Sequence, residues 1–343
     1  MGSDPSGLSP MAKYLVTGAN GFAGSHLVEE LLRRGHNVAC LVRRTSDLRY
    51  IENLDVEFVY GELRDPASLE SAVAGRDIVV HNAAITRAFY PREHFEINTG
   101  GTVAMLKACA GAGNEIGKFV YVSSQAAAGP SPDETPIDED CDPHPVSAYG
   151  RSKLLAEKYV LSYSSRFPVT IVRPSTVYGP RDRDCFANFR DAARHVSTIV
   201  GFGRSLLSIT HIHDIVQGII LAAESGESTG HVYFICHDRA YSWQEITRAI
   251  AKAVGRRTIN LRFAGETVKM LSRALTGAAR IGRTLGVCKK PPLLTIERGI
   301  EISMPFWVCD CSRARRELGF EPRIDNEKGA ALTAEWYRKE GWL

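Results

Sequence analysis

Tyr149 and Lys153 stand four residues apart in Tyr149-Gly150-Arg151-Ser152-Lys153. The stretch from Ala148 to Ser164 has a helical pattern, so phenol and amine share one face. A free phenol loses its proton near about 10 and a lysine near about 10.4. An ammonium beside the phenol stabilises phenolate and brings the pair toward a useful acid–base range. Lys153 could also hold ribose hydroxyls. Ser123-Ser124 closes an apolar run from Lys118, where a hydroxyl can hydrogen-bond a substrate oxygen beside Tyr149. Alone, a Tyr and a Lys at this spacing are most often surface decoration. A second motif changes that reading. Leu15-Val16-Thr17-Gly18-Ala19-Asn20-Gly21-Phe22-Ala23-Gly24 runs from a strand through a glycine turn into a helix. Gly18 permits the turn, Gly21 lets backbone approach a pyrophosphate, and Gly24 lets helix and strand pack closely. The helix N-terminus offers free N–H groups to the phosphates. The two motifs together describe a nicotinamide dinucleotide moving a hydride while Tyr149 moves a proton.

The tip of the second strand bears on which dinucleotide. An NAD site places an acid there for the ribose hydroxyl. Here the stretch is Leu41-Val42-Arg43-Arg44-Thr45-Ser46, with no acid until Asp47. Arg43 and Arg44 suit a 2′-phosphate by charge and forked donors, so we read NADP in preference to NAD. The alternative is that both arginines point into water. Asp65 is placed to receive the adenine amino group and, before Pro66, to cap a helix. His81-Asn82-Ala83-Ala84 ends the fourth strand in small residues that admit a ribose.

These residues need a scaffold. Short continuous apolar runs at 13–17, 37–42, 56–60, 78–81, 118–123 and 170–173 read as strands covered on both faces. Helical patterns at 22–34, 66–74, 98–112 and 148–164 alternate with them. Strand–helix alternation means an α/β fold, a Rossmann-type doubly wound parallel sheet. Beyond Pro180 the pattern loosens: a short run at 208–212, a helix at 214–224, a strand at 232–236, helices at 243–254 and 268–285, and a turn at 313–318. We expect a nucleotide-binding domain over 11–180, with 206–236 returning to it. Residues 181–205 and 237–343 form a smaller C-terminal α/β substrate lobe. The apolar side of the 268–285 helix reads as core or lid packing; the alternative is a cover for a greasy substrate or a membrane surface. Residues 1–10, rich in Gly, Ser and Pro, read as an expression remnant or disordered lead before a natural start at Met11.

Composition excludes several classes. The 343 residues are 44% hydrophobic and 24% charged, with a net charge of +3 that implies no nucleic-acid partner. Arg256-Arg257 and Lys289-Lys290 read as solvated surface. No apolar run reaches the roughly 20 residues of a membrane span. The eight cysteines form no Cys-x-x-Cys pair, so no metal site is expected. Cys309 and Cys311 would share one face of a strand. Buried free thiols are the expected state, which suits a reducing cytoplasm.

Five motifs in order carry a family resemblance: Thr17-Gly18-x-x-Gly21-x-x-Gly24, His81-x-Ala83-Ala84, Ser123-Ser124, Tyr149-x-x-x-Lys153 and Arg173-Pro174-x-x-x-Tyr178-Gly179-Pro180. The chain resembles the extended short-chain dehydrogenases/reductases of the NAD-dependent epimerase/dehydratase type. The resemblance implies Ser124, Tyr149 and Lys153 as the catalytic triad. It implies Asn98 as a supporting residue, with helix capping as the alternative. It implies cofactor contacts from Asn20, Phe22 and Ala23, from Glu62 and Leu63, from Asn82, Ala83, Ala84 and Thr86, from Val122 and Ser123, and from Pro174, Ser175 and Val177. Homodimers pairing through the helices at 98–112 and 148–164 are common in such a family.

Within it, Leu41-Val42-Arg43-Arg44 is similar to the branch of dihydroflavonol reductases and 3β-hydroxysteroid dehydrogenases. In sugar epimerases an arginine precedes the Asp of His-x-x-Asp by seven residues; counting back from Asp214 gives Leu207. The stretch 301–307 also lacks an Arg-Pro-Gly-Asp-type loop, leaving less to neutralise a diphosphate. Gly179-Pro180-Arg181 leans toward the sugar enzymes; Arg181 binds a phosphate or pairs with Asp182 or Asp184. The reading is an enzyme that reduces a ketone or oxidises a secondary alcohol of a small-molecule substrate. The alternatives are a nucleotide-sugar epimerase or dehydratase with tightly held NAD, and a non-catalytic cofactor-binding regulator.

Overall fold

The computed structural model describes residues 11–112 and 116–343. The expected lead at 1–10 lies outside them. The elements in chain order are β1 (Lys13–Thr17), α1 (Phe22–Arg33), β2 (Asn37–Val42), β3 (Glu57–Tyr60), α2 (Pro66–Val73), β4 (Ile78–His81), α3 (Pro91–His94), a wide π turn (Phe95–Thr99), α4 (Gly100–Gly111), β5 (Lys118–Val122), α5 (Gln125–Ala128), α6 (Ala148–Ser162) and β6 (Val169–Pro174). There follow β7 (Thr176–Tyr178), α7 (Phe186–Ala193), β8 (Val196–Val200), β9 (Leu206–Leu207), β10 (Ile209–His211), α8 (Ile212–Glu224), a short 3-10 turn (Gly226–Ser228), β11 (Val232–Ile235), α9 (Trp243–Val254), β12 (Ile259–Phe263), α10 (Gly265–Thr284), α11 (Ile296–Ile302), β13 (Phe306–Trp307), α12 (Ser312–Leu318) and α13 (Asn326–Lys339).

Seven parallel strands form the main sheet in the order β11-β6-β5-β4-β1-β2-β3. Alternating side chains feed two cores. Val16, Leu27, Leu31, Val80 and Ile219 fill one face, under α1 and α8. Leu15, Leu69, Val79, Leu106, Phe119 and Ala156 fill the other, under α2, α4 and α6. The chain reverses direction across the sheet between β1 and β4. Their carboxyl ends therefore diverge into a crevice, where ligands of such sheets bind.

Several elements differ from expectation. The helix expected over 98–112 starts at Pro91 and widens into a π turn at Phe95–Thr99, so Asn98 lies inside the helical run and caps nothing. The turn at 313–318 is a helix, stopped by Gly319 at φ 64°. Cys309 makes only an isolated bridge with Ile137, and Cys311 caps α12, so no strand aligns them; both are buried free thiols. α13 carries little apolar signal in sequence, because the face it buries, Asn326, Gly329, Ala330, Thr333, Ala334 and Tyr337, mixes polar with small residues.

Candidate active site

The glycine turn is built by close approach. Gly18 sits at φ +66°, and a Cβ there would lie 2.9 Å from Ala83 Cα. A Cβ on Gly24 would lie 2.1 Å from the Gly18 carbonyl oxygen, so α1 can pass beside its own turn only as glycine. Gly24 therefore acts from beneath and does not line the cavity. No side chain caps α1, so its first N–H groups point at open space, a cradle suited to a pyrophosphate. Thr17 Oγ1 ties the strands together, receiving Ala83 N at 3.0 Å and lying 2.9 Å from His81 Nδ1. The cavity outside these strand ends measures about 1420 Å³ and is walled here by Gly18, Asn20, Gly21, Phe22, Ala23, Asn82, Ala83, Ala84 and Thr86.

At the far end of the cradle the structure corrects two assignments. Arg43 lines the cavity, but Arg44 turns away and stacks over the Tyr60 ring at 5.1 Å. β2 ends at Val42, and the turn closed by Ser46 N on the Arg43 carbonyl at 2.9 Å sends the two side chains to different sides. Asp65 also stays outside the cavity, heading α2; Glu62 and Leu63 occupy the wall instead. Ser46 and Arg64, which the sequence reading did not select, line this end as well. Ser46 was findable, because its Oγ receives Arg43 N at 3.1 Å in a tight turn after β2.

The reacting end gathers on one wall. Val122, Ser123, Ser124, Tyr149, Lys153, Pro174, Ser175 and Val177 all line the cavity. Ser124 caps α5 by receiving Ala126 N at 3.1 Å, leaving its O–H free to donate outward. Gly150 sets the approach of α6: a Cβ there would lie 2.2 Å from the Ala126 carbonyl oxygen. Only glycine lets Tyr149 come this close to the Ser124 turn. Burial pushes the Tyr149 phenol up to about 12, with a hydrogen bond to Ser124 pulling the other way. The expected lowering by Lys153 is absent. Lys153 Nζ donates to the Val122 carbonyl at 2.7 Å and sits 4.2 Å from the Tyr121 ring centre. Burial pulls the amine itself down to about 7, against the opposing charge of Glu157.

Asn98 stays behind the wall. Its Oδ1 receives Ile85 N at 2.8 Å, and its Nδ2 donates to Ile85 O and to Ser152 Oγ, each at 3.1 Å. It fixes the 82–86 strand exit against the Tyr149 helix without facing the cavity.

The depressed Lys153 value makes a stability prediction. Its folded-state value lies below that of the unfolded chain, so between about 7 and about 10.4 the native state binds fewer protons. Stability from this group is present above the unfolded value and is lost as pH falls through the folded one. Lys153→Met, which removes the buried ammonium, should therefore gain most over the parent below pH 7 and least near pH 10. Urea unfolding of both proteins across that range checks it; a gap that does not shrink with pH would remove the buried ammonium as its cause.

The lobe supplies the opposite wall. Glu297 receives Ala148 N, and Glu301 receives Ser147 Oγ at 2.6 Å, so α11 grips the start of the Tyr149 helix. Burial pushes the Glu301 carboxyl up, with Arg298 opposing. Leu207, Trp243, Met304 and Trp307 add apolar surface, while Arg92, Arg283, Lys289 and Arg298 also line this end. The absence of an arginine at 207 thus does not leave the cavity without cations, because α3, α10, the turn after α10 and α11 deliver them. Arg181 pairs with neither Asp182 nor Asp184; it binds Glu29 at 2.5 Å and Ser25 Oγ at 3.0 Å. Gln125 lines the cavity with both amide atoms buried and without a hydrogen-bond partner among the described residues. Among the described residues no cluster of three or more His, Cys, Asp or Glu is arranged to hold a metal.

Comparison with known proteins fits this geometry. A family model for the NAD dependent epimerase/dehydratase family matches residues 14–236. A 3-beta-hydroxysteroid dehydrogenase of Mycolicibacterium neoaurum is 30% identical, the alignment covering 97% of this chain and 93% of the relative. A 2-alkyl-3-oxoalkanoate reductase of Stenotrophomonas maltophilia is 29% identical over 92% of this chain and 97% of its own. Among solved structures, MoeE5 in complex with UDP-glucuronic acid and NAD superposes with a TM-score of 0.76 at 27% identity, covering 96% and 99% of the two chains.

Proposed function

This chain belongs to the NAD dependent epimerase/dehydratase family, and from that premise we propose that it reduces a ketone, or oxidises the matching secondary alcohol, with NADP as the preferred cofactor. The observation that carries the reading is the convergence of Ser124, Tyr149 and Lys153 on one wall beside the glycine cradle. Gly18, Gly21 and the α1 N-terminus would hold the pyrophosphate, Glu62 and Leu63 the adenine, and Pro174, Ser175 and Val177 the nicotinamide. Bound there, the dinucleotide supplies the hydride. Tyr149, kept protonated by burial, gives its proton to the carbonyl oxygen. Ser124 donates a hydrogen bond to the same oxygen and holds it in line. Lys153, its amine anchored on the Val122 carbonyl, would hold the nicotinamide ribose hydroxyls rather than tune the phenol. The relatives act in keeping with this: one is named a hydroxysteroid dehydrogenase and another an oxoalkanoate reductase.

The NADP preference rests on Arg43 and Ser46 at the ribose end and on the absence of an acid between Leu41 and Ser46, the Asp47 carboxylate that also lines the cavity being paired with Arg49. Calorimetric titration with NADP⁺ and with NAD⁺ tests it. NADP⁺ should bind more tightly, and Arg43→Ala should weaken it by about tenfold to a hundredfold, the usual worth of a charged hydrogen bond. Arg44→Ala, on the Tyr60 side, should change little. Tighter NAD⁺ binding indifferent to Arg43 would overturn the preference.

The four cations at the lobe end favour one second reading, a nucleotide-sugar epimerase or dehydratase, whose diphosphate they would suit. Copurifying oxidised cofactor and tight binding of a uridine- or thymidine-diphosphate sugar would move that reading to first place. A homodimer through α4 and α6 is part of the proposal, supported by the exposed Leu155, Tyr159 and Leu161 on α6.

A further inference from the structure

α10 is amphipathic in the reverse of the usual sense. The side chains it buries are Val268, Ser272 and Thr276, two of them hydroxyls. The side chains it turns to solvent include Met270 at 67% exposed, Leu271 at 51%, Leu275 at 40% and Ile281 at 63%, followed by Leu285 at 72% and Val287 at 78%. At about 100° per residue, Met270, Ile281, Leu285, Leu271 and Leu275 fall within an arc of about 140° that runs from the side opposite the buried stripe, at Met270 and Ile281, round to its edge, where Leu275 adjoins Val268. Of the core-or-lid expectation for this helix, the core half is thereby overturned. A helix that buries hydroxyls and exposes large aliphatics is held in place by contacts other than its apolar side. Here those are Arg280, donating to the Phe89 carbonyl at 2.7 Å, and Arg283, paired with Glu93 at 2.5 Å.

We propose that the outward face of α10 and the turn after it dock on the surface of an anionic lipid bilayer. Charge selects this occupant. Between 265 and 293 the chain carries Lys269, Arg273, Arg280, Arg283, Lys289 and Lys290 against the single acid Glu266. Arg280 and Arg283 turn inward to Phe89 and Glu93 and Lys269 pairs with Glu266, which leaves Arg273, Lys289 and Lys290 beside the aliphatic face to meet the headgroups of such a membrane, on which the helix lies flat. A second copy fits less well, since a two-fold interface sets each patch against its own like charge. No helix of the described chain is long and apolar enough to cross a membrane, so the contact is peripheral. The turn after α10 adjoins the cavity rim, where Lys289 lines the wall, while Arg283 faces inward to Glu93. A lipophilic molecule leaving the bilayer would meet the cavity directly. The docking face stands independently of which reaction the cavity performs.

Co-sedimentation with vesicles tests it, using phosphatidylcholine alone and phosphatidylcholine mixed with phosphatidylglycerol. The parent protein should bind the anionic vesicles, bind neutral ones far less, and lose binding as salt rises. Met270→Glu/Leu285→Glu should cut binding by about tenfold or more, with the thermal midpoint and solution turnover unchanged, since neither residue lines the cavity. Arg273→Ala/Lys290→Ala should erase the preference for anionic lipid. Failure of the parent protein to bind anionic vesicles would overturn the proposal, as would equal binding by the Met270/Leu285 variant. A dimer in solution that this variant dissociates would assign the face to a second copy instead.

Discussion

Tyr149→Phe is expected to lower turnover by about 10²- to 10⁴-fold, the usual range for losing a positioned general acid. The substitution removes one oxygen and keeps the ring, so its edge-on contact with His94, centroids 5.9 Å apart, should survive. Cofactor binding and the thermal midpoint should therefore stay close to the parent's, which separates lost chemistry from lost structure. The direction of the reaction adds a second signature. Because burial holds the phenol near 12, Tyr149 stays protonated through neutral pH and ketone reduction should not decline on its account. Alcohol oxidation needs the phenolate and should rise with pH over the same range. Steady-state rates in both directions, on ketone and alcohol pairs, measure this. Full turnover in the Phe variant would place the proton donor elsewhere and end the mechanism proposed here.

Glu157→Gln should cost about 3–5 kcal/mol of stability, as breaking one half of a buried ion pair does. Glu157 on α6 meets Arg173 on β6 through two bonds, 2.7 Å and 3.0 Å long, with Ser123 Oγ donating to the same carboxylate at 2.5 Å. Both charged side chains are almost fully buried, at 3% and 5% exposed. The glutamine leaves the Arg173 charge without its counter-charge in a dry interior. The pair clamps the Tyr149 helix to the strand that ends in Pro174, so the catalytic wall should loosen along with the fold. Glu157→Leu/Arg173→Met should recover much of the loss, because no unpaired charge remains. Urea unfolding of the three proteins decides it; a Gln variant within about 1 kcal/mol of the parent would show that the pair contributes no more than an exposed one.

The glycine turn was legible because its constraints are local. Gly24 is demanded by backbone passing within one turn of itself and Gly18 by its positive φ, and the order of strand, glycines and helix records that along a single stretch; the approach of Ala83 to Gly18 is added by the fold. Tyr149 and Lys153 were legible for a similar reason, since four-residue spacing on a helix sets one face. The pKa logic between them was not. Whether Lys153 acts on the phenol or on the Val122 carbonyl depends on where β5 ends relative to α6, and Gly150 against Ala126 sets that. Arg43 and Arg44 look equivalent in a string of letters; the turn after β2 and Tyr60 on the next strand divide them. Asp65 and Glu62 compete for one role, and the length of the turn before α2 chooses between them.

The order of apolar runs and helical periods already contained the doubly wound sheet, its glycine cradle and the chemistry of a phenol beside a dinucleotide, because each rests on contacts within a few residues or on a repeating pattern. The cations at the lobe end of the cavity, the Glu157–Arg173 clamp, the Gln125 amide without a hydrogen-bond partner among the described residues and the outward apolar face of α10 belong to the folded molecule. Each joins residues that the sequence leaves apart, or depends on which side of a helix the rest of the chain covers. A period tells that a helix has an apolar side; only the neighbours packed around it tell which way that side faces.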